Sequence, residues 1–129
     1  MDKILIIQDS PAVNAVLKFR LESEEFSVET AETGEEGIEK AKTNQYQLIL
    51  VDYKLPGIDG TEVCRIFRGQ ENTKDVPIVF MSAQDENKLN EIVKEAGADG
   101  YIREPYEGKE LVEQLKGFIK GGIKNELSV

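Results

Sequence analysis

Five short apolar runs punctuate this chain, and most carry no polar residue at all: ILII (4–7), SVETA (27–31), LILV (48–51), PIVFM (77–81) and GYI (100–102). A strand wetted on one face alternates apolar and polar residues, because successive side chains point to opposite faces. Unbroken apolar strands need cover on both faces, which is the condition of a parallel sheet sandwiched between helices. SVETA is the polar exception and suits a sheet edge.

The segments between the runs have helical periodicity. The first opens at Ser10-Pro11, a capping residue followed by a proline in the first turn, and lines up Val13, Val16, Leu17 and Leu21. Thr33 and Glu36 have capping-box spacing at the start of the second, which turns Ile38 and Ala41 inward. Thr61–Arg68, Glu86–Ala96 and Lys109–Lys120 complete the set. Five β-α units with right-handed crossovers predict a flavodoxin-like, doubly wound α/β fold: a five-stranded parallel sheet of order 2-1-3-4-5 flanked by five helices. One domain is expected over residues 1–121, with 122–129 a short polar tail after Gly121 and no second domain.

Composition removes several classes of function. A net charge of −9 argues against a nucleic-acid-binding surface, which needs clustered Lys and Arg. Histidine is absent, so His-based triads and most zinc sites are excluded. The single cysteine, Cys64, lies on a helix-like segment and reads as core. No stretch approaches the ~20 apolar residues of a membrane span, and no signal-peptide pattern opens the chain, so a cytoplasmic protein is expected.

In such sheets ligands bind beyond the carboxyl ends of the strands, where strand order reverses. The residues there are Gln8 and Asp9, Asp52, Ser82 and Glu104. Asp9 and Asp52 follow neighbouring strands and should converge, and two close carboxylates call for a proton or a cation between them. Oxygen ligands without His or Cys point to a hard ion such as Mg²⁺. Each residue also has a plainer reading: Asp9 and Ser82 as helix caps, Asp52 as a turn residue before YKLPGIDG. Asp59, Asp85 and Asp99 read as caps or solvated charges.

Taken together, ILIIQDSP, LILVDYKLPGIDG, IVFMSA and AGADGYIREPY resemble the receiver domains of two-component response regulators, of the chemotaxis-regulator kind, nearly end to end. The resemblance implies that Asp52 accepts a phosphoryl group from a histidine kinase or histidine phosphotransfer protein. It implies that Asp9, Asp52 and the main-chain carbonyl of Lys54 hold Mg²⁺. Ser82 would donate its hydroxyl to the phosphoryl group, and Tyr101 would change position with it. The signal would leave through the surface of the fourth helix, fifth strand and fifth helix to a downstream protein. The exposed side of the first helix, with Ala12, Ala15 and Phe19, would dock the kinase. Such a domain is not an enzyme in the ordinary sense, and neither nucleic acid nor membrane is a partner.

Two positions depart from the family pattern. Gln8 replaces one of a pair of acids and could act on the metal through water. Glu104 stands before Pro105 where the family has lysine, a local change of two charge units. The resemblance implies a cis bond between them. Two unit charges 4 Å apart interact by roughly 4 kcal/mol at an effective dielectric near 20, so the difference is not small. Lys54 is the candidate compensating cation, and Arg103 is the weaker candidate because neighbouring strand residues point to opposite faces. The alternative is a phosphorylation-independent pseudo-receiver acting as an interaction module. An aspartyl-nucleophile phosphatase would want a second acid at position 54, where lysine stands.

Overall fold

In the computed structural model, which describes residues 1–121, five strands and five helices alternate along the chain. The tail expected over 122–129 lies outside the described residues. The elements run β1 (Lys3–Ile7), α1 (Pro11–Glu22), β2 (Ser27–Ala31), α2 (Gly34–Thr43), β3 (Leu48–Asp52), α3 (Gly60–Arg68), β4 (Ile78–Ser82), α4 (Glu86–Ala96), β5 (Gly100–Arg103) and α5 (Gly108–Ile119). The strands form one sheet in the order β2-β1-β3-β4-β5, all neighbours parallel. This is the predicted topology, with polar β2 at an edge.

Strand parity divides the core in two. Leu5, Ile7, Ile49, Val51, Ile78, Phe80 and Tyr101 face α2, α3 and α4, whereas Ile4, Ile6, Leu48, Leu50, Val79, Met81 and Ile102 face α1 and α5. All of these are almost fully buried, as continuous apolar strands require. Cys64 belongs to the first cluster, and burial pushes its thiol up to about 11, so it packs and stays protonated.

Helix starts follow the sequence signals. Ser10 Oγ accepts from Val13 N–H at 3.2 Å, and Thr33 Oγ1 accepts from Glu36 N–H at 3.0 Å. Asp59 and Asp85 cap α3 and α4 in the same way. The expected α1 stripe is only half correct. Leu17 and Leu21 are buried, but Val16 is 68% exposed, beside Phe19 at 76%. Asp99 also departs from expectation: it is neither a cap nor solvated, but paired with Arg68 at 2.7 Å.

Candidate functional site

The parallel register brings the sequence-predicted residues to one edge. Ile7 lies opposite Val51, Asp52 opposite Met81, and Ser82 opposite Arg103. The ladder runs on through Gln8 N–H to Ala31 O at 3.0 Å, Tyr53 N–H to Met81 O at 3.0 Å, and Glu104 N–H to Ser82 O at 2.8 Å. Asp52 and Ser82 are the last residues of their strands, and Glu104 is the first after β5. The bond between Glu104 and Pro105 is cis.

The plainer readings of Asp9 and Ser82 fall here. Ser10 caps α1 and Asp85 caps α4, so neither Asp9 nor Ser82 is needed as a cap. Asp9 is exposed, while Gln8 and Ser82 are each only 5% exposed. Asp52, Lys54, Ser82, Ala83, Gln84 and Glu104 line an open cavity of about 340 Å³. Ser82 Oγ accepts from Gln84 N–H at 3.2 Å, which ties the hydroxyl to the loop leading into α4. Tyr101 is buried in the core layer facing α2, α3 and α4 and is not among the residues lining the cavity.

Asp52 is half-buried, and that burial raises its carboxyl above the ordinary range. The Lys54 N–H, donating to Oδ1 at 3.2 Å, and a hydrogen bond from the Gln8 side chain oppose the rise. The charge of Asp9 adds to it. Glu104 is raised too, first by burial and then by Asp52. The Asp52 carboxylate therefore repels, and is repelled by, neighbouring acids. Among the described residues, no Lys or Arg forms an ion pair with Asp9, Asp52 or Glu104. Lys54 is exposed and does not pair with Glu104 in this conformation. Arg103, on the opposite side of β5, donates from Nε to Gln84 O at 3.1 Å.

This donor set fits a hard divalent cation. Its members are oxygens, and one carboxylate raises the other, a repulsion that a cation between them would relieve. Sequence reasoning missed two supports of the site. Gln8 is buried and lowers the Asp52 carboxyl, an influence no spacing rule reveals. Gly60 lets α3 start against the end of β3: a Cβ there would lie 2.9 Å from Asp52 O and 2.9 Å from Tyr53 Cα. The Asp59-Gly60 pair was a visible turn signal, but not the close approach.

The fold is a doubly wound α/β domain whose candidate site lies beyond the carboxyl ends of the strands, where strand order reverses. The family profile of the response regulator receiver domain matches residues 4–116, and the chain belongs to that family of two-component signalling domains. The chain is 36% identical over 118 residues to the transcriptional regulatory protein ResD of Bacillus subtilis, covering 92% of this chain and 48% of ResD. It is 34% identical to the response regulator ArlR of Staphylococcus saprophyticus, covering 93% of this chain and 53% of ArlR. The chain thus spans about half the length of these curated relatives. Among solved structures, the chemotaxis response regulator CheY4 of Vibrio cholerae superposes with a TM-score of 0.85 at 27% identity, covering 90% of this chain and 97% of CheY4. The receiver domain of the sensor histidine kinase PA1611 of Pseudomonas aeruginosa, which has a magnesium ion in its active-site cleft, gives 0.84 at 30% identity, covering 92% and 98%.

Proposed function

We propose that this receiver accepts a phosphoryl group on Asp52 from the phosphohistidine of a kinase or phosphotransfer protein. The observation that carries the reading is the Asp52 carboxylate itself: half-buried at the sheet edge, held by the Lys54 N–H, and facing an open cavity. A carboxylate oxygen attacks phosphorus, the bond from phosphorus to the histidine nitrogen breaks, and its electron pair returns to the imidazole. Asp9, Asp52 and the Lys54 carbonyl would hold Mg²⁺, which when bound supplies positive charge against the incoming phosphoryl oxygens. Gln8 could also reach the ion through water. The Ser82 hydroxyl donates to a phosphoryl oxygen, and because it holds Gln84 N–H, that bond draws on the loop before α4. Tyr101, buried on β5, is the switch residue, and the signal leaves by the α4-β5-α5 surface to a protein target. The exposed side of α1, with Ala12, Ala15, Phe19 and additionally Val16, receives the donor protein. The reading places the domain, residues 1–121, in the cytoplasm, with 122–129 as a tail.

Glu104 supports a second reading. A carboxylate where a cation would help opposes an incoming dianion, so a pseudo-receiver that signals without phosphorylation is the competing function. Incubation with acetyl phosphate and Mg²⁺ followed by intact-mass analysis separates the two. An acid-labile adduct lost in Asp52→Asn supports phosphotransfer, and its absence from the folded wild-type chain supports the pseudo-receiver.

A further inference from the structure

The loop between β4 and α4 is tied down on both sides of Gln84. The Gln84 N–H donates to Ser82 Oγ at 3.2 Å, and the Gln84 carbonyl accepts from Arg103 Nε at 3.1 Å. These two groups belong to successive peptide units, so the bonds fix both planes that meet at the Gln84 Cα. The second unit runs straight into Asp85, the residue that caps α4. Asp85 Oδ1 accepts from Lys88 N–H at 2.9 Å, and its carbonyl accepts from Leu89 N–H at 2.9 Å. A shift of the Gln84 carbonyl therefore reaches the first turn of α4 through one residue. Arg103 is placed to hold that carbonyl because it lies in register with Ser82, the last residue of β4. Main-chain pairing there reaches Glu104 N–H on Ser82 O at 2.8 Å. Both strands have ended by that rung, and beyond it the Arg103 side chain spans from β5 to the loop.

We infer that Arg103 is the latch of this loop: its guanidinium holds the Gln84 carbonyl in the resting position and opposes the movement that a phosphoryl group at Asp52 drives through Ser82. The inference rests on the role proposed above for Ser82. A hydroxyl oxygen that accepts from Gln84 N–H can still donate its own proton. Ser82 can therefore engage a phosphoryl oxygen and pull on Gln84 at the same time. The Arg103 bond meets that pull at the other end of the same residue. A guanidinium suits the task, since it stays charged at any ordinary pH and its donors are fixed in a plane. The same bond turns Arg103 away from acting as the cation of the site. Its Nε is engaged by a main-chain carbonyl, and Arg103 is not among the residues lining the Asp52 cavity.

Two measurements on Arg103→Met test the latch. Arg103 is exposed, so the substitution leaves the core alone, and methionine keeps an unbranched side chain while removing every donor. In amide hydrogen exchange of the resting chain, Lys88 and Leu89 should exchange about threefold faster than in wild type, the scale of one solvent-exposed hydrogen bond. In titrations with Mg²⁺ and beryllofluoride, a phosphoryl mimic, the variant should bind about threefold more tightly, because the loop no longer has to be unlatched. A side chain that merely supported the fold would not raise affinity on removal, and a cation that attracted the anion would lower it. Affinity unchanged or weakened in the variant overturns the inference, and so does unchanged exchange at Lys88 and Leu89. If the wild-type chain binds no beryllofluoride, the acceptor reading falls instead. Exchange at the two amides then decides the latch by itself: faster in the variant upholds it, and unchanged overturns it.

Discussion

The acids at the two ends of the sheet are treated in opposite ways. At the amino end, Asp99 pairs with Arg68 at 2.7 Å and accepts from Ile78 N–H at 2.9 Å. Glu29, midway along the edge strand, is met from the amino end by Lys3 at 2.9 Å and by the Tyr46 hydroxyl at 2.5 Å. The Tyr46 bond, ahead of Lys3 and Lys40, holds the Glu29 carboxyl below its ordinary value. At the carboxyl end, Asp52 and Glu104 are partly buried without an ion pair, and both carboxyls are raised. Acids that serve the fold are neutralised by the chain itself. Under the proposed function, the unneutralised acids at the carboxyl end keep their field for a ligand, and folding bears the cost.

The largest expected effect tests the amino end. Arg68 donates from Nε to Gly97 O at 2.9 Å and from Nη1 to Val76 O at 2.7 Å, besides pairing with Asp99. Its removal takes the cation from a partly buried carboxylate and the donor from several carbonyls. Arg68→Ala should cost about 2–4 kcal/mol in urea unfolding, somewhat below a fully buried pair because the side chains retain some solvent contact. A loss under about 1 kcal/mol would mean that the pair is no more than a surface bridge, and the contrast would disappear.

A smaller effect of opposite sign is expected at the other end. Glu104→Lys replaces a repulsion of Asp52 by an attraction and should stabilise the resting domain by about 1–2 kcal/mol at neutral pH, after discounting for solvent screening. The same urea experiment checks it. A destabilised variant would show that Glu104 already has a cationic partner, with Lys54 the first to inspect by a second substitution.

The sequence showed one end of this molecule far better than the other. Topology, edge strand and the convergence of Gln8, Asp9, Asp52, Ser82 and Glu104 follow from strand composition and register, since parity and parallel pairing are geometric rules. What stayed hidden depends on side-chain reach. Arg68 and Asp99 are 31 residues apart, and their meeting requires α3 and the turn before β5 to be packed first. Val16 fits the inward periodicity of α1 yet faces out, because spacing defines a stripe without saying how wide the buried part is. Lys54 sits where a compensating cation was expected, but two residues of loop let a flexible, strongly hydrated ammonium stay in solvent.

The smallest effect is also the sharpest, because it depends on sign. Glu29 has a folded carboxyl below its ordinary 4.5, so its ionisation stabilises the fold at neutral pH, and that contribution is lost as pH falls through the folded value. Glu104 has a folded carboxyl above 4.5, so its ionisation destabilises the fold, and the penalty is relieved as pH falls through its raised value toward the ordinary one. Relative to wild type, Glu29→Gln should therefore be less stable and Glu104→Gln more stable at pH 7, each by about 1 kcal/mol or less. On acidification both differences shrink toward zero from opposite sides. The Glu104 curve bends first, at the higher pH, because its carboxyl takes up a proton earlier. Urea midpoints of the three chains between about pH 7 and pH 3 are enough to see it. Curves of the same sign, or a Glu29 curve that bends before that of Glu104, would show that the two ends of the sheet do not differ in the way their hydrogen bonds indicate.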